Sequence, residues 1–409
     1  MGLLTTSSST PGNPAISIRP IGHLFVSGCT VEGEVELDFR QLRQDNVQEV
    51  HVKLRGSAKT AINRNETTRR EDIPLVRENV SLWTQGTVYP PPGQDTLQIP
   101  FRLQLPPDLP PSFHYRDMGK RASVQYSITA VGVRPGTFQF NRRMRHPLAI
   151  VQKDTIGIPA RDAMLAMAAG GAQCPWKVFR AEEKIRRGLW GSYATVQVEM
   201  MLPDIPVLPL FVPIPFVINI KSTTPPLTRA AAEMHPPDKP IFPPVPTAYH
   251  LLDFTLQRTL RIRARAFKAA STSDVIVFRD ATMAVEEDIP EREWVPLGGS
   301  EKEKSPDTQG TWVQRASFRS NFRLDCPHTF ETDNIFCGYS LELKVPFPGI
   351  GNNVRISMPV KVTSGLDAPI LRDGPGDARN PSQPREGMLD LPPAYWDTND
   401  RDWDDAEKD

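Results

Sequence analysis

Neither sign of charge prevails in this chain: 48 lysines and arginines meet 48 aspartates and glutamates over 409 residues. No global field drives it onto nucleic acid, so an anionic partner has to be met by a local patch. Cysteine is scarce, with four residues at 29, 174, 326 and 337. They form no CxxC pair and no histidine stands at ligand spacing, which argues against zinc sites and for free thiols in a reducing compartment. Long apolar runs are missing. The densest, Val207 to Ile220, is cut by Pro209, Pro213 and Pro215, so no segment reads as membrane-spanning, and no signal peptide is legible at the start. Catalytic signatures are missing too: there is no GxSxG, P-loop or HExxH, and GIGNN at 349–353 lacks the third glycine and the helix of a dinucleotide loop. The seven histidines are scattered. The expectation is a protein that is not an enzyme and uses no cofactor and no metal.

What is present is proline, 42 residues, glycine, 26 residues, and alternation. Leu97, Ile99, Phe101, Leu103 and Leu105 form an apolar series with Gln98, Arg102 and Gln104 between them, the pattern of a strand with one buried face. Prolines 106, 107, 110 and 111 stop it by removing backbone donors. Alternation resumes at Val124, Tyr126, Ile128 and Ala130. Similar series run through Val31 to Leu37, Val50 to Leu54, Ala194 to Met200, Leu252 to Ala266, Phe318 to Leu324, Tyr339 to Val345 and Val354 to Val362. Residues 58–72 are polar and basic and read as a long exposed loop; ARDAMLAMAAGG and WKVFRAEEKIRRGLW, between 155 and 191, read as short helical or irregular pieces. The tripeptides FRL at 101–103 and YSI at 126–128 have counterparts FRL at 322–324 and YSL at 339–341, the trace of an internal repeat. A chain of this length suits two domains.

The order of Gly33 to Leu37, Val50 to Gly56, Leu82-Trp83, Pro100 to Phe113 and Val124 to Ala130 resembles the amino-terminal domain of the arrestin superfamily. YPPPG at 89–93 stands where visual and β-type arrestins carry a helix, so the chain is identified as a member of the α-arrestin branch, the arrestin-related trafficking adaptors, of fungal type. The resemblance implies an all-β fold of two tandem immunoglobulin-like β-sandwich lobes: residues 15–154 and 191–365, joined by a linker at 155–190. A disordered N-terminus at 1–14 and a disordered acidic tail at 366–409 are expected to flank them.

The tail carries Pro392-Pro393-Ala394-Tyr395, a PPxY motif. In a polyproline II helix of three residues per turn, Pro392 and Tyr395 share one edge and suit neighbouring aromatic grooves of a WW domain. The resemblance implies that this motif recruits a WW-domain HECT ubiquitin ligase while the lobes hold a membrane transporter or receptor, promoting its ubiquitination and endocytosis or sorting. It places the protein in the cytoplasm, peripherally at the plasma membrane or endosomes. A structural trafficking subunit of the retromer type, similar in fold but acting by assembly with coat partners, is the competing reading. Arg261, Arg263 and Arg265 alternate with Leu260, Ile262 and Ala264 and put three guanidinium groups on one strand face, a row suited to phosphate or to peripheral contact with anionic lipid; a solvated outer face is the plainer alternative. Lys120, in Asp117-Met118-Gly119-Lys120, resembles the arrestin lysine that helps recognise phosphorylated cargo. Ser305-Pro306 is a candidate site for a proline-directed kinase, in a loop at 298–310 expected to be disordered. Met1-Gly2 through Thr6 fits the loose N-myristoylation pattern at Gly2.

Overall fold

The computed structural model describes residues 14–22, 24–136, 139–171, 173–188, 191–234, 240–278, 284–297 and 306–369. Two β-sandwich lobes account for most of them. The first begins with β1 (Ile16–Pro20), β2 (Phe25–Val26) and β3 (Thr30–Asp38), followed by the short helix α1 (Phe39–Gln44). It continues with β4 (Glu49–Arg64), β5 (Thr67–Thr84), β6 (Thr96–Gln104), β7 (Phe113–Asp117), β8 (Lys120–Val133), β9 (Arg142–Leu148) and β10 (Ile150–Val151). One face of this sandwich is β1-β3-β6, the other is β5-β4-β8-β7 with β9 added to β8, and β2 pairs in parallel with β10. The alternations read from sequence are the buried positions: Val31, Val35 and Leu37 on β3, Val50, Val52 and Leu54 on β4, and Val124, Tyr126, Ile128 and Ala130 on β8.

After helix α2 (Gly157–Ala168) the second lobe comprises β11 (Trp176–Arg186), β12 (Tyr193–Pro203), β13 (Leu208–Pro209), β14 (Ile214–Thr223), β15 (Leu227–Thr228) and α3 (Arg229–Glu233). Then follow β16 (Asp253–Ala264), β17 (Phe267–Val277), β18 (Glu286–Asp288), β19 (Glu293–Pro296) and β20 (Gln309–Phe322). The lobe ends with β21 (Phe330–Glu331), β22 (Ile335–Pro346), β23 (Asn353–Val360) and β24 (Val362–Thr363). Its sheets are β11-β12-β14-β20-β15, with β18 and β19 on β20, and β17-β16-β22-β21, with β23 on β22; β13 pairs in parallel with β24. The second and smaller sheet therefore repeats the order of its first-lobe counterpart strand for strand, with YSI on β8 matched by YSL on β22, while the two FRL copies fall on β6 and at the end of β20 in the other sheets. The four cysteines are free thiols.

Three expectations are corrected. Residues 58–72 are a hairpin and not a loop: β4 runs on to Arg64 and β5 starts at Thr67. Ala58, Thr60 and Ile62 stay buried while their neighbours turn to solvent, and the polar outward set hides a strand pattern. The turn at Asn65-Glu66 has both φ values left-handed, at 44° and 68°, as tight hairpins demand. Residues 176–186 form a strand, β11, paired with β12 along its whole length. This edge strand buries little beyond Ile185, with Phe179 and Ala181 half-buried beside it, so its alternation is weak and its glutamates and lysines mimic a helix. Finally, Arg265 lies past the end of β16, in the turn to β17 with φ 58°, and only Arg261 and Arg263 share the strand.

The lobes are tied where the chain crosses between them. Asp154 Oδ1 accepts from the amides of Ile156 and Gly157 at the start of α2, and its Oδ2 accepts from Gly365 after β24. Ser364 Oγ donates to the Gln152 carbonyl at 2.8 Å. No helix among the described residues is long and apolar enough to cross a membrane.

Candidate functional site

The tip of the β4–β5 hairpin reaches from the first lobe onto the β16–β17 hairpin of the second. Thr60 Oγ1 donates to the Arg263 carbonyl at 2.5 Å, and Asn334 Nδ2 donates to the Ala58 carbonyl at 3.0 Å. Glu71 on β5 accepts the Arg265 amide at 3.0 Å on Oε2, and its Oε1 lies 3.6 Å from Arg263 Nη2. Arg64 donates to the Lys268 carbonyl, and the guanidinium groups of Arg64 and Arg69 lie over the Phe267 ring. Lys120 Nζ, from the β7–β8 turn, donates to the Ala270 carbonyl at 3.2 Å. Deeper in the seam Phe113 meets Phe330 edge-on at 5.2 Å, and the Arg258 guanidinium stands 5.7 Å from the Phe113 ring and 5.1 Å from that of Tyr115.

The seam therefore gathers Lys120, Arg263 and Arg265, which the sequence offered as separate candidates, while Arg261 stays within the second lobe. Lys120 holds a carbonyl of β17 and Arg263 faces Glu71, while the backbone of Arg265 is held by the same carboxylate. Arg261 lies 4.0 Å over the Phe336 ring. With Arg263 42% exposed, the pair with Glu71 belongs to the class worth less than about 1 kcal/mol; its value is in fixing register between lobes. Glu71, Asn334, Thr60 and Arg258 were not legible as functional. Their partners lie 143 to 276 positions away, beyond the reach of any local pattern.

Beside the seam opens a cleft of about 1000 Å³ between the β4–β5 and β7–β8 hairpins. Lys59, Arg70, Arg116, Arg121 and Arg265 line it against Glu71, Asp72 and Asp117, with His114 on its wall. The excess of cations and the strand walls suit an anionic extended segment. Among the described residues no group of His, Cys, Asp and Glu is placed to hold a metal. Pro392, Pro393, Tyr395, Ser305 and Gly2 lie outside the described residues, as do the acidic tail from 370 and the loop at 298–305.

Residues 20–156 match the family model described as Arrestin (or S-antigen), N-terminal domain. No curated protein matches the chain. Arrestin proteins are generally adaptors without catalytic activity. The match over the first lobe supports the resemblance to the arrestin superfamily, and one sheet of the second lobe, β17-β16-β22-β21, repeats the order of β5-β4-β8-β7.

Proposed function

We propose that this protein is an adaptor of the α-arrestin branch, of fungal type, in which the two lobes hold a membrane-protein cargo in the cytoplasm and the tail brings a WW-domain HECT ubiquitin ligase to it. The reading is carried by Pro392-Pro393-Ala394-Tyr395, which follows the last described residue, Pro369, after 22 intervening positions. Ser364 and Leu366, just before that point, bond to Gln152 and Asp154 of the first lobe, so the motif is tethered to the lobe junction rather than to either lobe's far end. The absence of a helix in residues 85–95 supports the α-arrestin branch. The cleft beside the seam supplies a cationic surface for cargo, and ligase and cargo then meet by raising each other's local concentration.

Tyr395→Ala tests the ligase arm. The ring is an anchor in a small interface, so its loss is expected to cost about 2 kcal/mol or more, a weakening of thirtyfold or greater. Isothermal titration of the full chain with an isolated WW domain reads this, and equal affinity for wild type and variant would sink the ligase mechanism.

A further inference from the structure

The sequence pointed to β16 for anionic lipid, but the structure breaks up that arginine row, with Arg263 facing Glu71, Arg261 over Phe336 and Arg265 in a turn, and places a different group of basic residues at the opposite end of the first lobe. Three segments meet there: α1 with its exit at 39–48, the loop at 85–95, and residues 134–136 together with 139 onward into β9. Their meeting is rigid. The Phe39 amide donates to the Asp95 carbonyl at 2.8 Å, and Arg40 pairs with Asp95 at 2.5 Å. Arg142 grips both carboxylate oxygens of Asp45 at 2.6 and 2.8 Å, and Arg134 Nε donates to the Asp45 carbonyl at 2.6 Å. The Arg142 hydrogen bonds, and the nearby charges of Arg142 and Arg134, hold the Asp45 carboxyl below its ordinary pKa against the opposing effect of burial. Over these segments six arginines (40, 43, 134, 142, 143 and 145) stand against Asp45 and Asp95, with Asp38 and Glu49 flanking the first of them.

Two residues before β9, Phe140 is 90% exposed, and Arg134 bonds to Asn141 Oδ1 and the Phe140 carbonyl. Val88 and Tyr89, on the neighbouring loop, are more than half exposed, and the Tyr89 ring is set 5.8 Å from that of Phe39. Arg143 and Arg145 are exposed and lie two positions apart on β9, opposite Val131 and Thr129 of β8, so they share a face. We propose that this end of the first lobe is a membrane-docking surface that takes an anionic bilayer, the arginines lying against its head groups and Phe140 entering the acyl boundary. Basic residues around an exposed aromatic are the chemistry of interfacial binding. An acidic polypeptide would use the arginines but has no need of Phe140. The inference does not rest on the ligase reading and is independent of the WW titration.

Flotation of the full chain with vesicles tests it. Wild type is expected to bind phosphatidylcholine vesicles containing phosphatidylserine, to release with rising salt, and to ignore phosphatidylcholine alone. Each basic residue near an anionic surface contributes enough that Arg143→Glu with Arg145→Glu should weaken binding by about tenfold or more. Phe140→Ser should weaken it severalfold without changing the salt slope, Phe140→Trp should show a blue-shifted emission on phosphatidylserine vesicles, and Arg261→Glu should bind as wild type. Melting temperatures measured on every variant separate lost membrane binding from lost folding. Equal binding by the double variant, an equal loss in Arg261→Glu, an unshifted Phe140→Trp spectrum, or binding to soluble polyglutamate without binding to the vesicles would each overturn the proposal.

Discussion

Tyr126 in the first lobe and Tyr339 in the second occupy equivalent points. Tyr126 Oη donates to the Pro110 carbonyl at 2.7 Å and Tyr339 Oη to the Pro327 carbonyl at 2.6 Å. Burial pushes the pKa of both hydroxyls up, so both remain donors. The likeness continues along the chain. In Pro110-Pro111-Ser112-Phe113 the serine exchanges two hydrogen bonds with Ile150 of β10, and in Pro327-His328-Thr329-Phe330 the threonine does the same with Val362 of β24. Phe113 and Phe330, the matching residues of the two copies, are the rings that meet in the seam.

The lobes differ where they face one another. Opposite Tyr126 on β4 stands Gly56, and opposite Tyr339 on β16 stands Arg258. In the first lobe the missing side chain lets the tyrosine ring lie on the strand; in the second, the arginine reaches across to Phe113 and Tyr115. The other difference is Pro111 against His328. His328 is buried, accepts the Gln152 amide on Nε2 at 3.1 Å, and bonds the Thr329 carbonyl through Nδ1, which makes it a neutral imidazole with its proton on Nδ1. A duplicated sandwich thus keeps its internal fastening and varies the residues at the junction.

The largest expected effect sharpens the His328 contrast. Burial pushes the imidazole pKa from 6.5 down to about 4, against the smaller opposing effects of the Thr329 carbonyl and Asp154. The unfolded chain therefore takes up a proton at a higher pH than the folded one. Stability is complete above about pH 6.5 and falls as pH drops toward 4, by up to about 3 kcal/mol. Thermal unfolding at intervals across that window reads it. His328→Gln, which keeps a carbonyl acceptor, should flatten the profile; a slope unchanged in the variant would assign it to other groups.

Gly56→Ala comes next. The new Cβ would stand 2.4 Å from Tyr126 Cδ1 and 2.8 Å from Val76 Cγ1, inside a packed core, at an expected cost of about 2 kcal/mol. At the matching position Arg258→Ala meets no such clash and should loosen the lobes more than it destabilises either. Urea denaturation paired with small-angle scattering separates the two outcomes, and a Gly56→Ala protein as stable as wild type would contradict the packing. Removing either tyrosine hydroxyl orphans a proline carbonyl, so Tyr126→Phe and Tyr339→Phe should each cost about 1.5 kcal/mol. Unequal values would show that the two fastenings are not equivalent. The smallest effect is Glu71→Gln, which should change stability by less than about 1 kcal/mol while raising hydrogen exchange in the β16–β17 turn, where the Arg265 amide loses its carboxylate.

The sandwiches were legible because a strand with one wet face writes itself as alternation. Leu97 to Leu105 and Val124 to Ala130 did so, and the prolines between them marked the elbow. Alternation failed where its premise failed. Residues 58–72 form strands whose outward side chains are polar apart from Ala61 and whose inward set includes Thr60, and β11, at the sheet edge, buries too little to show a period. The resemblance to the arrestin amino-terminal domain rested on the order of such local signals, and the family match over residues 20–156 agrees with it.

The sequence alone determined which residues turn inward, that two β lobes follow one another, and that a PPxY motif lies beyond them, since each of these depends on neighbours along the chain. Only the tertiary structure decided how the candidate cations are used. Three arginines in one strand pattern suggest an open row, yet Glu71, Phe336 and the left-handed turn at Arg265 engage or redirect them. The arginines near Phe140 come from segments as far apart as residues 40 and 145, and there too carboxylates such as Asp45 and Asp95 set their placement. Charge is a property of residues, whereas an accessible charged surface is a property of what packs beside them, and that is set by contacts across the fold.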